Sequence, residues 1–163
     1  MTIKNPTQNI HAFITGVSSG IGRALAERML DQGMQVSGMA RRREALKSLE
    51  EQYDQFLGIT DDVADSKAVA NAVKAAEKHF GAINQAICNA GIYIPQSDLT
   101  IDPAVFRQQM EINYLGQVNV RKKQLAKVFS LGSILRRQFK FGKFCDAVYQ
   151  FSNLVAKQLL DLA

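Results

Sequence analysis

The sequence predicts an α/β domain, a parallel sheet layered between helices on both faces. Three observations carry this. From residue 11 to about 113, short apolar runs alternate with helix-length amphipathic stretches. Glycines and turn residues punctuate each change of period. A glycine cluster follows the first apolar run directly and opens the first helical stretch. Strands that alternate with helices of this length form βαβ units, whose crossovers cover both faces of a parallel sheet.

The elements follow in order. His11-Ala12-Phe13-Ile14-Thr15 reads as a short buried strand running into Gly16-Val17-Ser18-Ser19-Gly20-Ile21-Gly22. Ile21, Leu25 and Met29 recur four apart, the apolar stripe of a helix, and Gly33 is its stop. Val36–Ala40 is the second strand, and Leu46, Leu49 and Tyr53 mark the second helix. Phe56–Thr60 is the third strand. Val69, Val73, Ala76 and Phe80 mark the third helix, ended by Gly81, and Ile83–Asn89 is the fourth strand. Asp102-Pro103 is an N-cap followed by proline at the first helical position, opening a helix that continues past Asn113.

Composition agrees. At 163 residues, 47% hydrophobic and 21% charged, the chain is one ordinary domain or part of a larger one, with a real core. Mean hydropathy is -0.10 and no apolar run has transmembrane length. The opening MTIKNPTQNIHAF lacks a signal-peptide core, so a cytoplasmic location is expected. Two cysteines, and two histidines without CxxC or HExxH, predict neither a disulfide scaffold nor a metal site. Cys88 reads as a small core residue, His11 and His79 as surface residues, and Asp61 as solvent-facing.

The loop Thr15-Gly16-x-x-x-Gly20-x-Gly22 lies between a strand and a helix. Glycine permits positive φ and removes the Cβ that would block a phosphate. The following helix aims free N–H groups and its positive dipole end at the same spot. Together they suit a pyrophosphate; the alternative is a tight βα turn without a ligand. At the end of the second strand, where many dinucleotide-binding domains place a carboxylate for the ribose hydroxyls, stand Ala40, Arg41, Arg42 and Arg43. Guanidinium groups bind a 2′-phosphate that a carboxylate would repel. NADP(H) is therefore expected over NAD(H), with Arg41 the leading contact and Arg42 second; the alternative is a solvated helix start.

With these residues the chain resembles the short-chain dehydrogenase/reductase family in its classical branch. Thr15–Gly22 matches the family's TGxxxGxG loop. Asp62-Val63 is similar to its Asp-Val pair after the third strand, and Asn89-Ala90-Gly91 to its N-A-G motif, with Cys88 where another Asn is usual. Asn113 falls where the family places a structural and catalytic Asn. The resemblance covers about residues 9–120. It implies a three-layer Rossmann-type fold and reversible hydride transfer between a nicotinamide and a small alcohol or carbonyl substrate. It implies a cofactor held by Thr15, Gly16, Ser18, Ser19, Gly20, Ile21, Gly22, Asp62, Val63, Asn89, Ala90 and Gly91, with Asp62 on the adenine amino group and Asn113 in a proton relay. Classical relatives also commonly self-associate, so a homo-oligomer is an open expectation.

The family's acid/base is a Tyr whose pKa is lowered by a Lys four residues on. No tyrosine of this chain has lysine at +4. Tyr149, the tyrosine of residues 121–163, has Asn153 at +4 and Lys157 at +8. It reads first as a surface or core tyrosine and only second as the acid/base. Ser130 and Ser133 sit in no recognisable Ser motif. Relatives continue through a Tyr-Lys helix, further strands and a substrate loop, so the fold is expected to be incomplete on its C-terminal side.

Charge divides the chain the same way. Residues 1–120 carry 11 basic and 13 acidic side chains, residues 121–163 carry 9 and 2. The expected organisation is a nucleotide-binding domain at 1–120 and a basic divergent segment at 121–163 that is not a separate domain. Three readings of that segment stand: a frameshifted tail, a shortened cofactor-binding relative without turnover, or an added segment for nucleic acid or anionic membrane. The last rests on clustered Lys/Arg with Phe129, Phe139, Phe141 and Phe144, but the basic residues form no helical face and nucleic acid is the weaker expectation.

Overall fold

A computed structural model describes residues 10–96 and 102–121. They belong to the first of two compact units, Met1–Lys127; the second, Val128–Ala163, lies outside the described residues, as do Ser130, Ser133, Tyr149 and the four phenylalanines named above.

Four strands, β1 (His11–Thr15), β2 (Gln35–Ala40), β3 (Phe56–Thr60) and β4 (Gln85–Cys88), form one parallel sheet in the order β3-β2-β1-β4. The helices are α1 (Gly20–Asp31), α2 (Arg43–Glu50), α3 (Ser66–Phe80) and α4 (Pro103–Met110). The last runs into a π-helical turn, Glu111–Leu115, and on as helix through residues 116–121.

The side-chain alternation of β1 and β2 builds two cores. Ala12, Ile14, Val36 and Ala40 face one side, with Ala26, Met29 and Leu30 of α1 and Leu46 and Leu49 of α2. Phe13 and Met39 face the other, with Val69, Ala72, Val73 and Ala76 of α3 and with Ile112 and Val120. Every residue of β1 is buried, as a central parallel strand requires. This is the expected three-layer α/β arrangement.

Five expectations are corrected. Ile21 is not on the core stripe of α1: it is 79% exposed, and Gly22, Ala26, Met29 and Leu30 are buried instead. The first turn of α1 lies at the loop end of the strand, where its outer residues face solvent. His11 is 1% exposed rather than on the surface, because its ring is enclosed by Ser37, Gly81 and Phe80. Asp61 is half-buried, with a carboxylate oxygen accepting from the Asp62 N–H. β4 is shorter than Ile83–Asn89, since its ladder with β1 spans only Gln85–Cys88. Tyr53 lies past the end of α2 and donates its hydroxyl to Asp31.

The chain moves from β1 outward to β2 and β3, then crosses to β4 on the opposite side of β1. The strand order thus reverses between β1 and β4. In open α/β sheets a crevice opens at the C-terminal strand ends beside such a reversal, and ligands bind there.

Candidate functional site

The register pairs Thr15 with both Met39 and Cys88, so Gly16, Ala40 and Asn89 emerge side by side at the C-terminal edge. The Gly16 N–H donates to the Met39 carbonyl at 2.8 Å, holding the loop against β2. On the other side, Thr15 Oγ1 accepts from the Asn89 and Ala90 N–H groups, each at 3.1 Å. Asn89 Nδ2 donates back to the Thr15 and Gly16 carbonyls at 3.2 and 3.3 Å. Thr15 and Asn89 therefore lock the glycine loop to the end of β4.

Glycine is required here by space. A Cβ on Gly16 (φ 77°) would lie 2.8 Å from Ala90 Cα, and one on Gly22 would collide with Asn89 Nδ2 and the Gly16 carbonyl. At Gly20 (φ 59°) the space beyond is open. Ser19 stands at the N-cap of α1 yet makes no side-chain capping bond, and the first turn of α1 holds no acidic residue. The positive end of α1 is thus left for an outside acceptor.

A cavity of about 330 Å³ lies over this edge. Gly16, Ser18 and Ser19 form its floor at the loop. Arg41, Arg42, Asp61, Asp62 and Val63 border it beyond β2 and β3, and Asn89, Ala90, Gly91, Ile92 and Ile112 border it beyond β4. Thr15, Gly20, Ile21 and Gly22 shape the loop without bordering the cavity. Arg42 reaches across to the loop, its guanidinium donating to Ser18 Oγ at 3.1 and 3.3 Å and to Ser19 Oγ at 2.6 Å. Arg41 lies 3.8 Å from the Asp62 carboxylate, an exposed pair of small energetic weight. Asp62 Oδ1 accepts from the Ala64 N–H at 3.0 Å, fixing the turn after β3.

Asn113 sits in the π-helical turn. Its Oδ1 accepts from the Ile92 N–H at 2.7 Å and its Nδ2 donates to the Ile92 carbonyl at 2.8 Å. π-helical turns recur at functional sites, and this one gives Asn113 to the segment after β4. Residues singled out in the sequence from four separate stretches thus meet at one edge. Sequence reading missed Asn119, which donates to the Val63 and Ala64 carbonyls, and Gln109, which accepts from the Ile94 N–H. The Gln109–Asn113 spacing of four on one helix is the signal that could have found the latter.

Burial pushes the Cys88 thiol up, against a smaller opposing pull from Arg121, which suits an inert packing residue. Among the described residues no three His, Cys, Asp or Glu side chains converge on a metal position, and no helix is long and apolar enough to cross a membrane.

Comparison with known proteins agrees with this geometry. The family described as short chain dehydrogenase matches residues 10–135. The chain is 37% identical over 120 residues to the NADPH-dependent 3-dehydrocapnine reductase of Ornithobacterium rhinotracheale, covering 71% of this chain and 42% of that protein. It is 34% identical over 128 residues to a 3-dehydrosphinganine reductase of Arabidopsis thaliana, covering 76% and 38%. A 3-ketoacyl-(acyl-carrier-protein) reductase from Brucella melitensis, solved in complex with NADH, superposes with a TM-score of 0.69 at 28% identity, covering 73% of this chain and 50% of that one. The chain spans half or less of the length of these relatives. With the glycine loop, the reversal beside β1, the Asn89-Ala90-Gly91 turn and the Asn113 clamp in place, and the family matched across most of its length, this chain belongs to the short-chain dehydrogenase family of oxidoreductases.

Proposed function

We propose that residues 10–121 are the NADP(H)-binding part of an oxidoreductase acting on an alcohol or carbonyl group, and that the 163-residue chain binds the dinucleotide without turning it over. The observation that carries the cofactor choice is the end of β2. There Ala40 stands in place of a carboxylate, and the Arg42 guanidinium is already drawn to the Ser18 and Ser19 hydroxyls. An adenosine 2′-phosphate brings nearly two negative charges, and guanidinium groups meet it with charge-assisted hydrogen bonds.

The residues fit the whole dinucleotide. The bare backbone at Gly16 and Gly20 and the uncapped start of α1 suit the pyrophosphate. Asp62 and Val63 take the adenine side, with Arg41 and Arg42 at its ribose. Asn89, Ala90, Gly91 and Ile92 take the nicotinamide side. When bound, the nicotinamide supplies or accepts the hydride. Both polar ends of the Asn113 side chain bond Ile92, so it positions that segment while keeping a second N–H and a second lone pair for other partners. The name of the Ornithobacterium relative points to NADPH, and the Brucella complex was solved with NADH; the arginines favour the former here.

Fluorescence titration of the purified chain with NADPH and with NADH tests this. NADPH should bind more tightly. Arg41→Ala should weaken NADPH about 10- to 100-fold, the scale of one charge-assisted hydrogen-bond pair, with Arg42→Ala second and NADH nearly unmoved in both. Equal affinity of the wild type for the two cofactors would overturn the assignment.

A further inference from the structure

The segment after β4 is tied to the last helix by a regular ladder that the cofactor contacts do not explain. The Ile92 backbone N–H donates to Asn113 Oδ1, and its carbonyl accepts from Asn113 Nδ2. Two residues on, the Ile94 N–H donates to Gln109 Oε1 at 3.3 Å. Two further on, Gln96 Oε1 accepts from the Asp102 N–H at 2.6 Å. Burial alternates along the segment in step: Ile92, Ile94 and Gln96 are half-buried while Gly91, Tyr93 and Pro95 are exposed. The spacing explains the fit. Four residues of helix rise about 6 Å, and two residues of extended chain advance about 6.6 Å. Side chains at 109 and 113 therefore meet backbone groups at 94 and 92 in turn.

From this ladder we propose that Gln109 is a positioning residue: with Asn113 it holds residues 91–96 as a straight strap whose first two residues, Gly91 and Ile92, wall the nicotinamide end of the cavity. The inference rests on the dinucleotide reading. A dinucleotide spans the reversal in strand order with one nucleotide on each side. The arginines mark the β2–β3 side, so the other nucleotide lies against Ala90, Gly91 and Ile92. Ile92 borders the cavity. Thr15 fixes the chain before it at Asn89 and Ala90, and Asn113 fixes Ile92 itself. Gln109 is the next fixed point and holds the run past Ile92 in line with the end of β4.

The test compares Gln109→Leu with Gln109→Glu, which keeps an acceptor oxygen. Each is titrated with NADPH and with adenosine 2′,5′-bisphosphate, which carries only the arginine-side half. Gln109→Leu should weaken NADPH about 3- to 10-fold and leave the bisphosphate within about 2-fold. Amide exchange should speed at Ile94 while Ile92 stays protected, and Gln109→Glu should restore both. Should Gln109→Leu fail to fold, Gln109→Met makes the same comparison. Parallel loss of both ligands in the folded variant, or no loss of either, would overturn the positioning role. A wild type that binds neither ligand would overturn the dinucleotide reading itself, and this inference with it.

Discussion

His11 opens the sheet at the end opposite the cavity, and its ring chemistry is settled by its two partners. The Gly81 carbonyl can only accept, so Nδ1 carries the proton at 3.0 Å, and Nε2 at 2.9 Å accepts from the Ser37 hydroxyl. The edge of Phe80 closes the pocket. Burial holds the imidazole below its ordinary value near 6.5; the Gly81 and Ala82 backbone and Glu77 pull the other way, and His79 adds a small push down. A folded-state value below the unfolded one means that the unfolded chain binds the proton first. The stability contributed by the neutral ring is therefore present above pH 6.5 and is lost as pH falls from there toward the folded value. Thermal melts between pH 7.5 and 5 should show a falling midpoint, and His11→Gln should flatten that slope whatever it does to the midpoint itself. An unchanged slope would show that the loss comes from other groups. His11 looked like a surface residue in sequence because its enclosure comes from Ser37 and Phe80, which are 26 and 69 positions away.

Helix starts separate structural from functional termini at the scale of elements. Asp65 caps α3, accepting from the Lys67 and Ala68 N–H groups at 2.7 and 3.2 Å, and Asp102 caps α4 through the Ala104 N–H at 2.8 Å. Ser19 at the start of α1 accepts from the Arg42 guanidinium at its Oγ and caps nothing. Asp65→Ala should cost about 1 kcal/mol in urea unfolding, while Ser19→Ala should cost no more than a few tenths in the ligand-free chain. A full capping cost at Ser19 would mean that α1 is closed to an anion. Local chemistry of this kind is what reads well from sequence. β1 and β3 have the expected bounds, and Gly33, Gly81 and Asp102-Pro103 stand at helix ends as anticipated, because each is decided by neighbours in the chain. The meeting of Thr15, Gly16 and Asn89 at the C-terminal sheet edge was legible too, since glycine spacing and strand ends bring them together. The π-helical turn and the Gln109 strap were not, because they depend on how two distant segments match in pitch. Ile21 kept helical spacing yet stayed exposed, because periodicity gives a face but not how far the sheet extends beneath it.

For the whole molecule the deciding question is whether binding is followed by chemistry. An unassisted phenol with a pKa near 10 is ionised to about one part in a thousand at neutral pH, and positioned acid/base catalysis is worth about 10²- to 10⁴-fold. No tyrosine of these 163 residues has a lysine at +4, and Lys157 stands eight residues beyond Tyr149. The basic character begins at Arg121, the last residue of the described helix. The purified chain should therefore bind NADPH at one site and oxidise it no faster than buffer across a panel of ketones and aldehydes. Turnover that disappears in Tyr149→Phe would show that residues 121–163 supply a working acid/base after all. Sequencing the gene from codon 110 onward decides the cause: a second frame encoding a Ser motif and Tyr-x-x-x-Lys after Val120 should, once restored, yield a protein that reduces a carbonyl with the same NADPH site. If no frame does so, the basic segment belongs to the protein.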